Sequence, residues 1–193
     1  MRLPRKRTLF AGLAAALILL PTVAFAIYKP SRVLAPHLFG VTCVENNICI
    51  DDPAHLKRAK RLRAEAIDFV HSNIAHIRNT PRMIFCHSLE CSDAFGQFHA
   101  AAFNVGTHGI VVRMRGWERH FVRHELIHHV QNERFGSLYA FVFLPTWYLE
   151  GMAYSLSLDP RKPIPDETLE GYRARFDAWA ATQESIWDIS RLD

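Results

Sequence analysis

Apolar and polar positions along residues 52–73 recur at helical spacing. Leu56, Ala59, Leu62, Ala66, Phe69 and Val70 fall on one side, and Lys57, Arg58, Lys60, Arg61 and Arg63 on the other. Asp52, with Pro53 behind it, supplies the start of that helix. The basic side reads as a solvated helix face; contact with phospholipid head groups is the other use of such a run. Short apolar runs bounded by turn residues follow. "RMIFC" (82–86), "FHAAAFNV" and "GIVVRMR", the last two joined by "GTH", predict about three strands with a hairpin, and "VTCVENNICI" predicts another hairpin turning about Asn46. The helical period returns in "GWERHFVRHELIHHVQNERFG", where Gly136 is the stop and Arg134 suits the helix end. "PTWYLEGMAYSLSLDP" is a second such segment, and "DETLEGYRARFDAW" a third, whose stripe of Leu169, Tyr172, Phe176 and Trp179 is expected in the core. This order predicts an α+β fold. A long N-terminal helix, a small, mostly antiparallel sheet, a buried helix and a partner beside it come in turn, and a C-terminal helix closes the core.

Composition changes this picture at the N-terminus. Arg2, Arg5, Lys6 and Arg7 precede 21 uncharged residues, Thr8 to Tyr28, the pattern of an export segment. The run is long enough to span a bilayer as a retained anchor. Pro21 and the Ala24-Phe25-Ala26 cleavage pattern equally fit a removed signal peptide, and both readings put the domain outside the cytoplasm, in the periplasm or another extracytoplasmic space. Residues 1–28 are thus the export segment, 29–40, with two prolines and no clear period, a linker, and 41–193 a single domain. The four basic residues also account for the formal charge of +4, since 19 basic face 19 acidic residues in the remainder. The domain's charge therefore gives no basis for a nucleic-acid partner. Cys43 and Cys49 bracket "VENNI", and Cys86 and Cys91 bracket "HSLE". In an exported chain two local disulfides are the favoured reading, with Cys43 and Cys49 facing each other across a hairpin. The spacings are wider than those usual for a four-thiolate zinc site, the rival use of the four cysteines.

The candidate chemistry lies in "VRHELIHHV" (122–130). His124-Glu125-Leu126-Ile127-His128 is HExxH. On a helix the two histidines lie one turn apart on one face and can reach one ion, and Glu125, rotated ~100° from His124, can address a water on that ion. Trp117, Phe121, His124 and His128 share a face, while Val122, Leu126, Ile127 and Val130 spread apolar contacts around the rest, so the helix is expected to be largely buried. Buried imidazoles without partners cost free energy, which favours a metal over a polar patch. A catalytic zinc takes three protein ligands and leaves one position for water. Glu150, set among Trp147, Tyr148, Leu149 and Met152, is the candidate third; a salt bridge to Arg123 is its structural alternative. His129 reads as a neutral neighbour, and His120 as a supporting or surface residue.

HExxH together with "PTWYLEGMAY" resembles the gluzincin zinc metallopeptidases, the thermolysin-like class that adds a glutamate from a downstream helix to two histidines of HExxH. The resemblance covers residues 99–158. It implies a minimal zincin-like domain with Zn2+ held by His124, His128 and Glu150, Glu125 as general base, and a peptide or protein substrate. It also implies an antiparallel edge strand above the site, for which "HAAAFNV" and "GIVVRMR" are candidates. Thermolysin has an aspartate four residues after the ligand glutamate, where this chain has Tyr154. Tyr154 shares a face with Glu150 and is a candidate for orienting a histidine or stabilising an oxyanion; a buried core tyrosine is the alternative. A cell-envelope binding or assembly protein that keeps the fold without turnover is the second class of reading, and the intact HExxH argues against it.

Overall fold

Five strands form one sheet: β1 (Thr42–Val44), β2 (Ile48–Ile50), β3 (Arg82–Phe85), β4 (Ala102–Val105) and β5 (Gly109–Val112), in the order β1-β2-β3-β5-β4. The computed structural model describes Leu17, Val23 and residues 27–96, 99–190 and 192. The export segment at 8–28 therefore lies almost wholly outside the described residues. Among the described residues no helix is long and apolar enough to cross a membrane.

The sheet is mixed, which corrects the expectation of a mostly antiparallel one. The outer pairs β1–β2 and β4–β5 are antiparallel hairpins, whereas β2, β3 and β5 run parallel. The reason lies in their side chains. β2 and β5 are buried at every position and β3 at all but its first, as parallel strands covered on both faces must be. On one face Ile48, Ile50, Met83, Phe85, Ile110 and Val112 join the main core. On the other Cys49, Ile84 and Val111 pack with Val33, Val41 and Phe95 in a smaller one.

The second face depends on residues 29–39, read from sequence as a linker. They form two 3-10 turns, Lys29–Leu34 and Pro36–Phe39, and bury Val33 completely. Arg82 donates to the carbonyls of Val33 and Leu34 at 2.6 and 3.0 Å, fastening the turn to β3. Prolines disguise the segment, because they suppress any helical period while suiting the first turn of a 3-10 helix. Both expected disulfides are present. Cys43 and Cys49 face each other in register across the β1–β2 hairpin. Cys86–Cys91 ties the end of β3 to α2 (Leu89–Phe95), a short helix capped by Ser88 and not foreseen in the sequence. Every cysteine is paired, so the four-thiolate alternative falls, and two disulfides suit an oxidising, extracytoplasmic environment.

The main core is helical. α1 (Leu56–Asn73) follows a 3-10 turn in which Asp52 accepts from the Ala54 N–H at 2.9 Å. Its Ala59, Ala66 and Val70 are buried, as is Arg63 from the face expected to be solvated. α3 (Arg119–Phe135) buries Val122, Leu126, Ile127 and Val130. It stops at Gly136, whose φ of 84° favours glycine. Trp117 precedes this helix instead of sharing its face, and its indole donates to the Cys86 carbonyl at 3.1 Å. "SLYAFVF", between the two predicted helices, forms α4 (Ser137–Phe143), and α5 (Thr146–Leu156) then returns beside α3. α6 (Glu167–Ala180), capped by Asp166, closes the core through Phe176. Gly151 allows that closure: a Cβ there would lie 2.3 Å from the Tyr172 carbonyl oxygen, so the α5 and α6 backbones approach each other closely next to Glu150.

Candidate metal centre

The one-turn spacing on α3 brings His124 and His128 together, and the return of α5 sets Glu150 opposite them. His124 Nε2 and His128 Nε2 are 3.1 Å apart. Glu150 Oε2 is 3.5 Å from the first and its Oε1 3.4 Å from the second. Neighbouring ligands of a tetrahedral ion with bonds of ~2.0–2.1 Å lie about 3.3 Å apart. The three donors thus already have the spacing of a ligand set, and they can hold a metal ion.

Electrostatics fit that use. Burial works against the His128 imidazolium, but Glu150 beside it overcomes this and pushes its pKa up to about 9. Burial likewise opposes ionisation of Glu150, yet His128 and His124 hold it well below the usual carboxylate range. The centre is built to keep positive charge against Glu150. A proton on His128 does so, and a divalent cation on the converging lone pairs would do so more strongly.

Supporting residues fix the ligands. Gln131, almost fully buried, accepts from His128 Nδ1 at 2.8 Å and donates to the Leu149 carbonyl at 3.1 Å. This places the proton of neutral His128 on Nδ1 and leaves Nε2 free to ligate, while tying α3 to the residue before Glu150. Tyr154 lies edge-on against His124, with centroids 4.5 Å apart. Burial first and Glu150 second push its hydroxyl up to about 12, so it stays protonated at neutral pH. Arg161 lies beside Tyr154 and is itself held by buried Asp159 at 2.9 and 3.1 Å.

Glu125 is 7% exposed. Burial pushes its pKa up, opposed chiefly by His124 and His128. The backbone N–H of Asn104 on β4 lies near its carboxylate and favours the ionised form weakly. Asn132 on α3 donates to the Asn104 side chain at 3.1 Å, so strand and helix are joined beside the ligands. Of the two candidate edge strands, β4 is at the edge and β5 is internal. β4 forms one wall of a cleft of about 870 Å³ whose floor is His124, Glu125, His128 and Glu150. Ala140, Phe141, Leu144 and Leu149 supply apolar lining, and Arg115 and Arg161 basic lining.

The sequence-derived set is therefore together in one place. Arg123, the alternative partner of Glu150, pairs with Glu65 on α1 instead. His129 faces elsewhere, with Nε2 2.7 Å from the Asn79 carbonyl oxygen. His120 stacks on Phe121 and takes no part in the ligand group. Gln131, Asn104 and Arg161 were not anticipated. Only Gln131 carries a local signal, since it stands three residues after His128 and so faces the same way. No family model, curated protein or solved structure matches the chain.

Proposed function

We propose that the protein is an exported zinc-dependent hydrolase that cleaves peptide bonds, of the gluzincin type. The observation that carries this reading is the meeting of three elements in one cleft: a preformed His/His/Glu triangle, a buried carboxylate outside that triangle, Glu125, and an edge strand. Two imidazoles and one carboxylate with an open fourth position form the donor set of several catalytic zinc sites. Zinc bound there supplies Lewis-acid polarisation of the scissile carbonyl and acidifies a water.

The chain's own residues supply the rest. Glu125, buried near the Asn104 N–H and raised in pKa, accepts the proton of the attacking water and returns it to the leaving amine. Tyr154, kept protonated, donates to the oxygen on which charge develops, with the Arg161 guanidinium beside it adding positive potential. An extended peptide pairs with the open edge of β4. Its apolar side chains lie against Ala140, Phe141 and Leu144. Residues 8–28 direct the enzyme out of the cytoplasm. A binding protein without turnover would use the same cleft, but it has no use for Glu125, whose burial costs free energy.

The test is Glu125→Gln, assayed on unstructured protein substrates. Cleavage falls by about 10²–10⁴-fold, the contribution of a positioned general base, while zinc at the His124/His128/Glu150 centre is retained. Equal cleavage by variant and parent would overturn the reading.

A further inference from the structure

A second group of metal-ligating side chains stands apart from the cleft. β2 and β3 are parallel neighbours with Ile50 beside Phe85, so the residues that follow them emerge side by side at one edge of the sheet. Asp51 and Asp52 follow β2, Cys86 and His87 follow β3, and His55 comes at the end of the Pro53–His55 turn that leads into α1. The carboxyl edge of parallel strands is where open sheets place their ligands. Here Asp52, His55 and His87 each direct one donor atom to within 4.8 Å of the other two. We propose that these three residues form a second site for a divalent transition-metal ion.

The group is framed by bonds that leave its donors available. The backbone N–H groups of His87 and Ser88 donate to Asp51 at 2.8 Å each, and the Ser88 hydroxyl to the same carboxylate at 2.7 Å. Asp51 is thereby occupied as a scaffold. His87 lies within the loop closed by the Cys86–Cys91 disulfide, and its ring has no hydrogen-bond partner among the described residues. Asp52 spends Oδ1 on the Ala54 N–H and turns Oδ2 to His55 Nδ1 at 3.0 Å. The His55 and His87 rings stack with centroids 3.7 Å apart, and both stand edge-on to Trp117. Imidazole lone pairs lie in the ring plane, so an ion shared with Asp52 would tilt the two rings out of this stack.

The donor set selects the ion. Two imidazole nitrogens and one carboxylate oxygen suit zinc, nickel or copper(II), and not calcium or magnesium, which prefer oxygen shells. Asp52 Oδ2 and His55 Nδ1 are already 3.0 Å apart, and all three donors, within 4.8 Å of one another, must settle near the spacing of a tetrahedral shell, about 3.3 Å. Side-chain rotation allows this, since His55 and Asp52 are 34% and 42% exposed. An ion here would pin the start of α1 to the disulfide loop and so stabilise the folded chain by mass action.

The experiment uses the full chain with His124→Ala and His128→Ala, which removes the cleft centre, so the outcome is independent of whether the protein is a hydrolase. Zinc and copper(II) are titrated separately, with bound metal counted after gel filtration. One equivalent is expected, lost on adding His87→Gln and weakened by Asp52→Asn, which keeps the capping oxygen. Far-UV circular dichroism confirms that each variant folds, and the parent chain should hold two equivalents. A folded double variant that binds neither metal, or whose bound equivalent survives both His87→Gln and Asp52→Asn, would overturn the proposal.

Discussion

The sheet is closed on its two faces by different means, and the difference locates the chemistry. One face packs Ile50, Phe85 and Val112 against α1, α3 and α5, a core large enough to hold buried polar groups in place. The other covers Cys49, Ile84 and Val111 with two 3-10 turns and a seven-residue helix, and both disulfides include a cysteine of this smaller core. Buried polar groups are affordable only where packing fixes their partners. Accordingly Glu125, Gln131 and His129 are all on α3, on the helical face. The smaller core relies on covalent ties, as small cores do.

If that division is right, damage to each face should read out differently. On the helical face, Glu150→Ala removes the carboxylate from the ligand triangle. A supporting residue is worth 10–100-fold in metal affinity, so loss of a ligand should cost more than ~100-fold at the cleft. Isothermal titration with zinc in the His87→Gln background measures this without a contribution from the second site. Unchanged affinity would mean that the triangle is an ion-pair cluster and not a metal centre.

On the opposite face, replacing Cys43 and Cys49 by serine opens a loop whose ends are six residues apart. Chain entropy for so short a loop predicts a loss of about 2 kcal/mol, seen as a lower urea midpoint. The same variant should bind zinc at the cleft as the parent does. A shift in cleft affinity would show that the two faces are coupled and break the comparison.

How much of this could be read from the chain varies with range. HExxH was legible because its geometry is local: an i, i+4 spacing needs only a helix. Glu150 was legible because a carboxylate between Leu149 and Gly151, in an otherwise apolar segment, needs a partner, and α5 provides two histidines. Asn104 and Asn132 were not legible, since their value arises from β4 lying over α3, a contact between residues 28 apart. Arg161 follows Pro160 in an irregular stretch without a period to place it. Strand direction was misread for a related reason. "ICI" and "GIVV" show no alternation, and that absence signals strands covered on both faces, but the cover over one face is the 29–39 segment that its prolines conceal.

The smallest expected effect tests the joint between the two faces. Burial opposes ionisation of Asp51, but its hydrogen bonds from His87 and Ser88 win and hold the carboxyl below its ordinary value of 3.8. A carboxyl depressed by folding adds stability above its unfolded pKa, and the contribution is lost as pH falls through the folded one. Asp51→Asn keeps the shape but has one acceptor oxygen, so it loses the bonds of either His87 or Ser88 and makes the rest neutral, a change of about 1 kcal/mol at this partly exposed site. In urea unfolding at pH 7, with chelator present to exclude metal effects, the parent should be more stable by that amount. Below pH 4 the gap should close as Asp51 of the parent takes up its proton. A gap that persists unchanged at pH 3 would mean that Asp51 acts through shape alone, and that the His87 loop is held by its disulfide without electrostatic help.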